Sequence, residues 1–221
     1  MFKKEGRYKV IGDEGQYEPG SRQRILRNLL GIKKKHEMDQ LEFDRLSEIM
    51  TKLLDTYEQH HRFTATDICN MHHAWLGDIY SWAGNYRQVN ISKGGFQFAA
   101  ATLIPDLMNK FEQKELRKFT PCTFETLAEL TQAIATVHVE FILIHPFREG
   151  NGRIARVLAN LMAAQAGLPL LNFGGIKGNK RKEYIAAIHA GLERNYEPMA
   201  KIFKSVLRKT LQLGRIEKLK Q

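Results

Sequence analysis

The sequence predicts an all-α domain, a helical bundle carrying one small β-hairpin. Three observations lead there. Apolar residues recur at spacings of three and four through most of the 221 residues. Gly and Pro interrupt these runs at their ends, as at Gly31, Pro121, Pro146 and Gly167. One stretch alone, Trp82 to Phe98, alternates with a period of two and breaks at Gly94-Gly95, the pattern of a hairpin.

Taken in order, residues 1–20 read as a polar, turn-rich arm punctuated by Gly12, Gly15, Pro19 and Gly20. Ser21 is a candidate N-cap for a helix over Arg22 to Leu30, with Ile25, Leu26, Leu29 and Leu30 at helical spacing. A second helix holds Leu41 to Leu54 and a third spans Thr66 to Tyr80. The hairpin, residues 86–98, is too small to stand alone and must lean on helices. Another helix runs from Ile104 to Leu116. From Phe124, Leu127, Leu130, Ile134, Val137, Phe141 and Ile142 mark a long amphipathic helix. Pro146 disfavours helical geometry at His145 and ends it there. Ile154, Val157, Leu158, Leu161 and Met162 mark the next helix, stopped by Gly167. A basic loop, Lys177 to Lys182, precedes a helix over Glu183 to Leu192, and a last helix spans Pro198 to Leu213. There is no internal repeat. The domain is taken as 21–205, with 206–221 as a charged tail.

Composition narrows the function. With 34 Lys plus Arg against 24 Asp plus Glu, the net charge is +10. That suits a solvated basic surface or an acidic partner such as nucleotide phosphate. Two cysteines exclude a disulfide scaffold and suit a reducing compartment. No secretory signal or membrane span is expected. The pairs His60-His61 and His72-His73 lack the spacing of a zinc set.

The chemistry concentrates between the two best helices, in His145-Pro-Phe-Arg-Glu-Gly-Asn-Gly-Arg-Ile-Ala-Arg156. Gly150, Asn151 and Gly152 tolerate positive φ, so successive N–H groups can converge at a helix start, an anion cradle of phosphate size. Arg153 and Arg156, three apart, are expected on one helix face, closing on the same phosphates. Glu149 is the one acid in this basic loop. Beside a phosphate it calls for a cation, and Mg²⁺ takes one or two carboxylates plus phosphate oxygens. His145, with an ordinary pKa of ~6.5, can accept a proton near neutrality. The segment holds no Ser or Cys nucleophile, so the reading is direct transfer from a nucleotide to a hydroxyl that His145 deprotonates. A bare Gly-Asn-Gly would be read as an ordinary turn; the whole string would not.

This string resembles the complete signature of Fic-domain proteins, His-x-Phe-x-(Asp/Glu)-Gly-Asn-Gly-Arg-x-x-Arg, and every constrained position matches. The resemblance extends over about Tyr17 to Ile202. It implies a Fic-type helical bundle with a flap, and transfer of AMP from ATP to a Ser, Thr or Tyr hydroxyl of a target protein, with release of pyrophosphate. It implies His145 as general base, Phe147 as a core anchor and Glu149 as the Mg²⁺ ligand. Gly150, Asn151 and Gly152 would be the anion hole. Arg153 and Arg156 would be phosphate ligands, and Tyr184 an adenine contact. Asn90, Ile91, Ser92 and Lys93 would be the flap segment that docks the target. Gly152 favours AMP transfer over the phosphate transfer of members resembling Doc toxins, which carry Lys there. Neither end of the chain shows the family's inhibitory Ser/Thr-x-x-x-Glu-Gly/Asn motif. A small separate antitoxin is therefore the expected partner, in the bacterial cytoplasm, with injection into a host cell as the other location. The alternatives are transfer of another nucleotide or phosphate-containing group, or a non-catalytic basic binding module. Nucleic acid is not the expected partner.

Overall fold

A computed structural model describes residues 13–218, with side chains to 212. Eight α-helices and one two-stranded hairpin follow in order. They are α1 (Lys35–Thr56), α2 (Ala65–Leu76), β1 (Ser92–Lys93), β2 (Phe96–Gln97), α3 (Ile104–Phe111), α4 (Arg117–Phe119), α5 (Leu127–Ile144), α6 (Asn151–Gln165), α7 (Asn179–Ala190) and α8 (Glu197–Lys218). The expected class, all-α with a small flap, is what the chain adopts.

The helix starts are written locally. Thr64 caps α2 and Thr126 caps α5, each in a reciprocal box with the Asp67 or Glu129 three residues on. α5 lies at the centre, packed against α6 and α8. Ala133, Val137, Val139 and Phe141 are fully buried in it. Its length and apolar composition alone would suffice to cross a membrane, but 67% of it is buried inside the protein. α1 and α2 pack together and against α6, and α7 packs on α8.

Four expectations are corrected. Residues 22–30 form no helix: Arg22 and Gln23 take left-handed φ of 56° and 59°, and Tyr17 pairs with Leu26 in an isolated bridge. Asn28 explains this. Its side chain accepts from the amides of Leu30 and Ile32 and donates to the carbonyls of Leu26 and Ile32. It thereby offers the backbone a competing set of bonds. Leu29 and Leu30 are left 61% and 53% exposed while Ile25 is buried, so the four apolar residues do not form one buried helical face. The hairpin is shorter than its alternation suggested: only Ser92 pairs with Gln97 and Lys93 with Phe96. The basic stretch 177–182 is partly helical, since α7 starts at Asn179. Finally, α8 passes without a break through 205, and Val206 and Leu207 are buried. A tail therefore does not begin at 206. Of the expected arm, residues 1–12 lie outside the described residues.

Candidate active site

α5 stops at His145, whose φ of 53° caps the helix in the left-handed region, and Pro146 follows. The loop from there to α6 is braced by its own side chains. Asn151 Oδ1 accepts from the Phe147 amide at 2.9 Å, and its Nδ2 donates to the Phe147 carbonyl at 2.8 Å. Phe147 is fully buried and stacks on the His72 ring at 3.9 Å. His72 Nε2 lies 3.1 Å from the Glu149 carbonyl, which can only accept, so this nitrogen donates. Its Nδ1 accepts from the Gly84 amide. Burial pushes the pKa of His72 down to about 4, keeping it neutral in this role.

The same logic fixes His145. Its Nδ1 is 3.0 Å from the Ile142 carbonyl, so Nδ1 carries the proton and Nε2 keeps a free lone pair. Its ring stacks on Phe98 at 3.7 Å. Burial, against the opposing Ile142 bond, lowers its pKa to about 4, and Arg87 and Lys93 push the same way. At neutral pH His145 is an uncharged base.

Arg87 is a residue that sequence reasoning missed. It is fully buried. Its guanidinium donates to the carbonyls of His145 at 2.8 Å, Val89 at 2.6 Å, Ala99 at 2.6 Å and Ile144 at 3.4 Å. One side chain thus ties the base of the flap on both sides to the end of α5. It lies outside the signature, in a stretch read only for its alternation, so nothing singled it out. Glu14, also buried, accepts from the Gln88 amide at 2.6 Å and anchors the arm beside the same junction.

These elements enclose a cavity of about 570 Å³ lined by Lys93, Phe98, His145, Glu149, Asn151, Gly152, Arg156, Arg181 and Tyr184, among others. That is within the range for small-molecule sites. Glu149 is the one acid against several cations among its described lining residues. A second hollow, about 340 Å³ between α7 and α8, contains none of the signature residues. With Gly150 at the N-cap of α6, no side chain caps that helix, which leaves first-turn amides open toward an anion. Arg156 Nε is buried without a hydrogen-bond partner, and its guanidinium sits 5.4 Å from the Phe173 ring. A buried, unpaired guanidinium nitrogen is costly unless a ligand completes it.

The other expected residues divide. Gly150 does not line the cavity. It has φ 83°, and a Cβ there would stand 2.6 Å from Trp75, so it sets the loop's path. A Cβ on Gly152 would meet nothing within 4 Å; that space is cavity. The Asn151 side chain is spent on the loop. Arg153 does not face Arg156 as the three-residue spacing suggested: it leaves the cavity lining for α1 and α2. There it pairs with Glu42 at 2.6 Å and covers Trp75 at 4.5 Å, with one edge 3.5 Å from Glu149. The Tyr184 hydroxyl bonds His138 Nε2 at 2.6 Å, because His138 Nδ1 is turned to the Ala155 carbonyl. His138 is fully buried, its pKa lowered to about 4, so it serves as acceptor and fixes the tyrosine ring on the cavity wall. In the flap, Lys93 lines the cavity, while Asn90 accepts from the Ala101 amide at 2.8 Å. Asn90 and Ser92 are exposed and Ile91 is half-buried, all outside the lining.

No group of three or more acidic, His or Cys side chains able to hold a metal occurs among the described residues. A cation could still use Glu149, half-exposed on the cavity wall, as a single carboxylate beside phosphate oxygens, a donor set that Mg²⁺ accepts.

Comparison with known proteins agrees with this geometry. Residues 62–163, α2 through most of α6, match the Fic/DOC family. The protein adenylyltransferase VbhT of Bartonella schoenbuchensis is 30% identical over 143 residues, which are 65% of this chain and 30% of that protein. The chain thus spans less than a third of VbhT. The probable protein adenylyltransferase y4lH of Sinorhizobium fredii is 28% identical over 167 residues, 74% of this chain and 82% of that protein. The crystal structure of BepC from Bartonella tribocorum, with bound AMPPNP, superposes with a TM-score of 0.68 at 19% identity. It covers 88% of this chain and 96% of that one. The fold is that of Fic domains.

Proposed function

We propose that this chain transfers AMP from ATP to a hydroxyl side chain of a target protein. One observation carries the reading: a neutral histidine with its free nitrogen, an uncapped helix start and an arginine whose buried Nε has no partner line one cavity. The names of VbhT and y4lH support the same reaction.

In this reading His145 Nε2 takes the proton of the target's Ser, Thr or Tyr hydroxyl. The oxygen attacks the α-phosphorus of ATP, the bond to the bridging oxygen of the β-phosphate breaks, and pyrophosphate leaves. The first-turn amides of α6, at Asn151 and Gly152, hold the phosphate oxygens on which charge develops. Arg156 satisfies its orphaned Nε on the terminal phosphate and aligns the chain of phosphates. Arg153 meets the phosphates on its Glu149 edge. Mg²⁺ bound at Glu149 would supply charge neutralisation on the phosphates. Tyr184, held by His138, offers its ring to adenine. Residues Asn90 to Lys93 present flap backbone to an extended target segment in the manner of strand addition.

We infer further that the chain is a toxin restrained by a separate antitoxin in the bacterial cytoplasm. Support comes from Arg156, whose Nε has no partner among the described residues. The reaction is tested by incubating the protein with ATP, Mg²⁺ and bacterial lysate. Mass spectrometry should find AMP on Ser, Thr or Tyr of particular proteins. Phosphate on those residues instead would overturn the reading.

A further inference from the structure

We propose that Glu42, on α1 and far in sequence from the signature, is a positioning residue of this site that acts through Arg153. The proposal rests on the reading of Arg153 and Glu149 given above. The Glu42 side chain is 5% exposed. Its Oε2 pairs with Arg153 Nη1 at 2.6 Å, and its Oε1 accepts from the Tyr80 hydroxyl at 2.9 Å. Its main-chain carbonyl accepts from the Trp75 indole at 2.8 Å, and the Arg153 guanidinium lies 4.5 Å from the Trp75 ring. The guanidinium is therefore held on one edge by a buried carboxylate and on one face by an indole. Its remaining edge reaches Glu149 Oε1 at 3.5 Å. A polar chain, Tyr80–Glu42–Arg153–Glu149, runs from the core to the cavity wall.

A buried ion pair contributes little net stability, since desolvation offsets its attraction. What it supplies is a fixed direction for a side chain that is otherwise one-third exposed, long and free to rotate. Glu42 also subtracts charge behind Arg153. Its removal would disorder the arginine while making the local field more positive, so ATP attraction would hold while alignment for transfer suffers. That separation between affinity and rate distinguishes positioning from a general loss of structure.

The test compares wild type, Glu42→Gln, Tyr80→Phe, Arg153→Ala and the Glu42→Gln/Arg153→Ala double variant. Three quantities are read: calorimetric affinity for ATP with Mg²⁺, label transfer from α-labelled ATP at saturation, and the arginine side-chain ¹⁵N spectrum. Glu42→Gln should slow transfer about tenfold and leave affinity within about twofold. It should also collapse the slowed Arg153 guanidinium resonances. Tyr80→Phe, which keeps the charge and the packing, should slow transfer by roughly threefold. In the Arg153→Ala background, Glu42→Gln should cost nothing more. Wild-type transfer and an unchanged spectrum in Glu42→Gln, or losses that multiply in the double variant, would overturn the proposal. If Arg153→Ala changes neither rate nor affinity, the assignment of Arg153 to the phosphates falls, and the catalytic consequence of Glu42 falls with it. An intact Glu42-dependent spectrum would then show that only the catalytic reading had failed.

Discussion

At the residue scale, two glycines of one signature do different work. Gly150 has φ 83° and no room for a Cβ beside Trp75; Gly152 has open space. Gly150→Ala should therefore cost roughly 2–4 kcal/mol, from left-handed strain plus overpacking, measured by denaturant unfolding. Gly152→Ala should leave the unfolding midpoint within about 0.5 kcal/mol of wild type while weakening ATP binding, because the methyl enters the cavity. Equal destabilisation of the two variants would contradict this division. The sequence made both glycines conspicuous but could not separate them, since the difference lies in Trp75, about 75 positions away. That His145, Glu149 and Arg156 would share one cavity was legible for the opposite reason: they are local to one loop and one helix turn. Arg153 was legible as a cation but not in its direction. Its partner Glu42 sits on α1, and no spacing rule connects them.

At the element scale, the flap is held more by Arg87 than by its own ladder. Two paired positions make a hairpin too small to persist alone. Arg87 binds carbonyls at both flap ends and at the end of α5. Arg87→Met leaves those buried acceptors unpaired, at about 1–3 kcal/mol for each group. Limited proteolysis should then cut within 90–98 at least about tenfold faster than in wild type, before the helices are cut. A flap as resistant as wild type would refute this role. The alternation from Tyr86 to Lys93 announced a hairpin correctly, yet overstated its length, because the chain there follows side-chain and carbonyl bonds instead of a strand partner. The same kind of competition defeated the helix expected at 22–30. Asn28 and two left-handed residues turn the backbone, and helical spacing alone does not reveal that. The long helices α1, α5, α6 and α8 were legible because each buries a continuous apolar stripe in one core.

At the scale of the whole molecule, buried neutral histidines set the response to acid. His72 and His138 are buried, and burial lowers both to about 4 from an ordinary value near 6.5. Below pH ~6.5 the unfolded chain binds protons that the folded chain refuses, so stability falls as pH drops toward 4. At pH 5 each residue contributes on the order of 2 kcal/mol to this loss, and Tm should fall by about 10 °C between pH 7 and pH 5. A flat Tm across that range would show these histidines protonated in the fold. His145 follows the same sign as a base: it stays uncharged through neutrality, and the acid limb of transfer should lie below pH 6.5. The fold brings α5, α6, α7 and the flap to one cavity, and the account of its chemistry stands or falls on which phosphate moves. The most direct measurement incubates wild type and His145→Ala with Mg²⁺, bacterial lysate and ATP labelled on the α-phosphate or on the γ-phosphate. The account predicts protein bands from the α label only, and none from His145→Ala although that variant still binds ATP. Bands from the γ label, or α labelling that survives in His145→Ala, would contradict it.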